Sequence, residues 1–187
     1  MMVRIPAHGA PVAQKETLMS ALVRNWAAAL ICTAFALSVQ AGEQIVVRAG
    51  DNPSQVGSSK IFDGQVRQDV IAPADEFSHN GITYVTFEPG ARTFWHSHPG
   101  GQRLLVTAGK GLVGTKDGEV TVVRPGDFIW CPPDVLHWHG ASPTTAMTHI
   151  AFTNAVPGKT THWDKPLSAQ EYADLARKAM EADAAAR

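Results

Sequence analysis

The chain has 187 residues, 44% hydrophobic and 18% charged, with a formal net charge of −1. That length fits one domain behind a leader, and near-neutral charge without a basic stretch excludes the electrostatic footprint of a nucleic-acid binder. Two cysteines, Cys32 and Cys131, are too few for a disulfide-framework fold.

Residues 1–41 read as a signal peptide. Arg24 precedes an apolar run of about a dozen residues, and Val39-Gln40-Ala41 closes it with the small-x-small pattern of a cleavage site. The run is short for a membrane span, and Ile31 before Cys32 is a poor lipoprotein signal. Residues before Met19 are either an over-extended start or a long leader. Cleavage after Ala41 leaves residues 42–187 as a single domain, periplasmic or secreted, with no further membrane association. It removes three cations (Arg4, Lys15, Arg24) and one anion (Glu16), so the formal charge moves from −1 to −3. Cys131 is then alone and reads as a small buried filler.

From residue 42 onward, short segments rich in Val, Ile, Thr and aromatics are punctuated by turn signals. Candidate strands cover 42–49, 82–88, 93–98, 102–115, 119–124, 127–132, 136–141 and 147–153. Lys116-Asp117-Gly118-Glu119 is a hairpin signal between two apolar runs. Strands this short without intervening helices favour an all-β sandwich or barrel. Ser168-Ala169-Gln170-Glu171 is a capping box that starts a helix over about 168–184, with Tyr172, Leu175, Ala176 and Ala179 on one face.

The chemistry concentrates in two segments. His96 and His98 lie two apart, which in an extended strand aims both imidazoles at one face. Pro99-Gly100-Gly101 breaks that strand and Gln102 opens the next, while His137 follows in a second Gly/Pro-framed segment. Three nitrogens and one amide oxygen suit a divalent transition metal. His139 shares the strand parity of His137 and reads as an outer partner of the site. His79 and His162 read as structural residues and Arg92 as a surface or interface residue. Phe94, Trp130 and Phe152 are candidate lining for an apolar pocket.

The strings PGARTFWHSHPGGQRLLVTAG (89–109) and GDFIWCPPDVLHWHGA (126–141) resemble the two signature motifs of the cupin superfamily. Asp134 stands where that family usually has Gly, Ala141 where it often has Asn, and Gln102 where it usually has Glu. The wider stretch, roughly 80–155, is similar to a subgroup of manganese-dependent (R)-mandelonitrile lyases, which are hydroxynitrile lyases. The resemblance implies a double-stranded β-helix of the cupin type, jelly-roll-like, with the C-terminal helix added. It implies metal ligands at His96, His98, Gln102 and His137, and Mn(II) first among Fe(II), Zn(II), Ni(II) and Cu(II). It also implies His149 as the base beside the metal. Thr153 stands where the lyases carry a glutamine; its hydroxyl still donates a hydrogen bond but reaches less far. Homo-dimers or homo-tetramers are common among such cupins. The expected activity is cleavage of a small-molecule cyanohydrin. The alternatives are a cupin dioxygenase using Fe or Cu, and a non-catalytic metal-containing binding barrel.

Overall fold

The computed structural model describes residues 43–187; the segment read as a signal peptide, residues 1–41, lies outside them. Two antiparallel sheets face each other. The first runs in the order β1 (Gln55–Val56), β3 (Val66–Ala72), β4 (Asn80–Phe87), β12 (Met147–Asn154), β7 (Gln102–Gly109), β10 (Phe128–Cys131). The second is ordered β13 (His162–Trp163), β6 (His96–Ser97), β11 (His137–Ala141), β5 (Arg92–Thr93), β2 (Phe62–Asp63). Off β11 it adds β8 (Gly111–Thr115), which pairs in turn with β9 (Val120–Val123). One helix, α1 (Ala169–Ala185), follows, and Ser168 caps it by accepting the Glu171 N–H at 3.1 Å. This is the all-β barrel with a terminal helix that the sequence predicts.

Period-two alternation sorts the side chains. On β12, Met147, His149 and Ala151 are buried inside, whereas Thr148, Ile150 and Phe152 turn outward. On β11, His137 and His139 face the barrel interior and Trp138 points the other way, into a second core under the helix. That core joins Trp138 to Trp95, Leu112, Leu167, Tyr172 and Ala176. The barrel's own core is built on Phe62, Val66, Val85, Phe87, Val106 and Met147.

Arg92 fastens the helix to the barrel. The sequence reading put it at the surface or an interface, but it is buried within the chain at 5% exposure. Its guanidinium pairs with Asp63, donates to the Leu167 carbonyl at 2.9 Å and the Gly90 carbonyl at 3.1 Å, and lies 4.6 Å from the Tyr172 ring centre. A buried cation persists where charge and donors are matched in this way. Gly140 makes the approach possible, since a Cβ there would sit 2.6 Å from that of Arg92.

The candidate strand at 42–49 does not form over its described residues. Ile45, Val46 and Val47 are 85%, 61% and 45% exposed and pair with no other strand. Strand-forming composition is not enough where no sheet edge supplies hydrogen-bond partners. Conversely, β3, whose residues VRQDVIA carry a weak alternating signal, is a full member of the first sheet.

Candidate metal centre

Neighbouring strands bring the predicted donors together. His96 on β6 lies directly opposite His137 on β11, and their ring centres are 4.2 Å apart. His98, one residue past β6, has its ring centre 5.1 Å from that of His96 and 5.7 Å from that of His137. The chain then reverses through a turn closed by the Gly101 N–H on the His98 carbonyl at 3.1 Å. Gly101 is required here: its φ is +73°, and a Cβ would lie 2.4 Å from the Trp130 ring. The reversal starts β7 with Gln102 opposite Thr153 of β12. All four donor side chains are buried.

The hydrogen bonds around them fix the protonation of two rings. His96 Nδ1 lies 2.9 Å from the Phe94 carbonyl and His137 Nδ1 2.9 Å from the Val135 carbonyl. A carbonyl only accepts, so each Nδ1 carries the proton and each Nε2 is left as a bare lone pair. His98 Nδ1 meets the Thr161 hydroxyl at 3.0 Å, and its buried Nε2 has no partner. The Gln102 amide N–H donates to Thr153 Oγ1 at 3.0 Å, which turns Oε1 to within 3.4 Å of His137 Nε2. Lone pairs therefore face lone pairs, with no donor between them. That arrangement is costly when empty and fits a cation.

Burial, followed by repulsion from His137 and then from His98, holds His96 well below the usual imidazole range. The same causes, burial and then the charge of His137, bring His98 down to about 4. Burial lowers His137. The rings are thus neutral and ready to ligate at ordinary pH.

His139 and His149 form a second buried pair beside the first group. His149 Nε2 lies 3.1 Å from His139 Nδ1, while His139 Nε2 and His149 Nδ1 have no partner. Burial lowers His139 well below its ordinary value and brings His149 to about 3. His139 adjoins the donors, its ring centre 5.2 Å from that of His96 and 6.0 Å from that of His137. Among the described residues, the nitrogens of His96, His137 and His139 all lie within 4.8 Å of one another, a three-histidine group suited to a divalent metal. The register of the β12–β7 pairing shifts between Thr148 and His149, where Thr107 of β7 is the extra residue, and His149 keeps the inward alternation of Met147 and Ala151.

A chamber of about 170 Å³ opens on these groups, bounded by His96, His98, Gln102, His139, His149 and Thr153. Its apolar wall comes from Phe62, Val85 and Trp163, together with Ile61 and Ala151. None of the three aromatics expected there takes part. Phe152 points outward by strand parity and Trp130 is 42% exposed with Arg103 lying 4.2 Å over its ring. Phe94 does not line the chamber either. The aromatics that sequence reasoning missed are Phe62 and Trp163, the latter on β13 and stacked on His96 with ring centres 4.6 Å apart. Thr161, two residues earlier, is the hydroxyl on His98. His79 sits in a turn with φ of +53° and His162 is exposed, both away from the site.

A two-sheet antiparallel barrel with inward histidines on facing strands is the architecture of the cupins. The Cupin_2 family model (cupin domain) matches residues 83–152. The chain is 43% identical over 127 residues to an (R)-mandelonitrile lyase of Granulicella tundricola, covering 68% of this chain and 97% of that one. It belongs to the cupin family. Among solved structures, a cupin-like protein of Thermotoga maritima is 37% identical with a TM-score of 0.62, covering 64% of this chain and 91% of that one. The polyketide cyclase RemF of Streptomyces resistomycificus shares the fold, at 16% identity and a TM-score of 0.56 over 70% of this chain and 91% of its own.

Proposed function

We propose that the protein is a divalent-metal-dependent carbon–carbon lyase of the hydroxynitrile lyase type, which cleaves a cyanohydrin such as (R)-mandelonitrile to an aldehyde and hydrogen cyanide. One observation carries this reading. The donors His96, His98, Gln102 and His137 are all neutral, and three of them, His96, His98 and Gln102, share a chamber wall with the imidazole pair His139–His149, while His137 lies opposite His96. The 43% identity to an (R)-mandelonitrile lyase supports it. Mn(II) is the ion we propose.

When bound, a divalent ion supplies positive charge that a neutral shell leaves uncompensated, which stabilises departing cyanide. The side chains do the rest. With His149 Nε2–H donating to His139 Nδ1, His139 carries its own proton on Nε2 and stays outside the donor shell, and the lone pair on His149 Nδ1 is free to take the cyanohydrin hydroxyl proton. The carbon–carbon bond breaks with its electron pair on cyanide, the carbonyl forms, and the same proton returns to cyanide. Burial keeps His149 neutral before substrate arrives. A developing anion beside it favours the protonated ring during the reaction. Thr153 Oγ1 accepts from Gln102, so its own O–H can donate to the substrate oxygen. Phe62, Val85 and Trp163 offer an apolar wall to the substituent.

The test is benzaldehyde release from racemic mandelonitrile by manganese-loaded and metal-stripped protein, with oxygen uptake followed in parallel. Metal-dependent release without oxygen uptake is expected. Oxygen uptake without release would replace the lyase with a dioxygenase. The proposal extends to export through the leader read at residues 1–41. It also extends to self-association through the outer face of the first sheet, where Tyr84, Phe128 and Trp130 are exposed. Sedimentation of wild type against Phe128→Glu tests the second point, with a dimer expected only for wild type.

A further inference from the structure

A second chamber, of about 140 Å³, lies in the same barrel. Of the described residues that line the two chambers, only His139 is common to both. His137 belongs to the wall of the second one, whereas His96, His98, Gln102, His149 and Thr153 belong to the first. The second is therefore separated from the substrate chamber by the His137–His139 strand, and it opens beside the β8–β9 hairpin at Thr115 and Glu119.

Its walls are mainly apolar. Leu104 and Ile129 are direct partners across β7 and β10, and Val113, Val135 and Pro132 complete the wall. Among the lining residues, Trp138 Nε1 and His139 Nε2 are buried without a partner, and the other polar groups have little to offer a guest. His137 Nδ1 is committed to the Val135 carbonyl, and Nε2 faces Gln102 on the other side. The Cys131 thiol is pushed up to about 12 by burial, so it stays neutral. Glu119 and Thr121 are exposed at the rim. Water needs two to four polar partners to settle in a cavity, and an apolar cavity near 150 Å³ stays dry and takes benzene or xenon.

We infer that this rear chamber is a second ligand site, which takes a small uncharged aromatic or hydrocarbon molecule of about benzene size and is distinct from the metal chamber. It does not depend on the lyase reading. The occupant rests against the β11 strand that carries His137, so the site is fitted to sense or adjust the metal ligand from behind.

Benzene is the probe, and zinc-loaded protein with labelled methyl groups is the sample, because zinc is diamagnetic. Saturable cross-peaks from benzene to the methyls of Leu104, Val113 and Ile129 are expected. Ile129→Phe fills the chamber and should abolish them while leaving bound zinc unchanged. If that variant does not fold, Val135→Trp, at a position 37% exposed, blocks the same space from the mouth. Cross-peaks confined to Ile61 and Val85 of the front chamber, or none at all, would overturn the inference. So would benzene binding that survives in the filled variant at wild-type strength.

Discussion

Exchanging Gln102 for Glu adds one negative charge to the donor shell with almost no change of shape. In wild type the amide N–H donates to Thr153 Oγ1 and Oε1 faces His137 Nε2 at 3.4 Å. In Gln102→Glu the Thr153 hydroxyl can turn and donate to the carboxylate, so the side chain keeps its seat and metal retention is expected. An anion that shares the shell then meets a like charge on the order of 4 Å away, which at an effective dielectric near 20 costs about 4 kcal/mol. Partial screening brings the expected loss of cyanide or azide affinity to roughly a hundred- to a thousandfold, since ~1.4 kcal/mol is tenfold. The assay is anion titration into manganese- or cobalt-loaded protein, followed by calorimetry or absorption. Unchanged anion affinity in a variant that retains its metal would refute the argument that ligand neutrality selects an anionic guest.

Four further predictions test separate parts of the structure. His137→Ala should lose metal and activity together, because His137 meets both His96 and Gln102; metal content by mass spectrometry decides. His149→Ala should retain metal yet lose turnover by at least the hundredfold typical of a general base, and retained turnover would remove His149 from that role. Metal-free protein should lose stability as pH falls from 6.5, the ordinary imidazole value, toward about 4 for His98 and about 3 for His149. The unfolded chain binds those protons first, so each buried histidine contributes a slope of about 1.4 kcal/mol per pH unit across its window. Urea midpoints that do not change between pH 7 and 5 would contradict this. Arg92→Met should lower unfolding free energy by about 3 kcal/mol by leaving the Leu167 and Gly90 carbonyls unpaired, as read from urea denaturation.

Much of the site was legible because its donors lie within short motifs on strands. Histidines two apart and a glycine turn before Gln102 are local signals, and the fold brings these residues together with His137. What the sequence concealed depends on pairing between distant segments. Trp163 and Thr161 reach the site only because β13 returns to pair with β6, and no periodic pattern in residues 155–167 announces that return. The same applies to Arg92, whose burial depends on Asp63, Leu167 and Tyr172, 29 to 80 residues away in sequence. Phe152 is a different case. It is one residue out of phase with both Ala151 and Thr153, so strand alternation alone assigns it to the outer face.

The most direct test is anomalous diffraction from crystals soaked with manganese and cyanide. One peak is predicted, within ligand distance of Nε2 of His96, His98 and His137 and of Gln102 Oε1, with cyanide in the front chamber on the side of His149. A peak elsewhere, a shell without Gln102, or cyanide bound away from His149 would contradict the account.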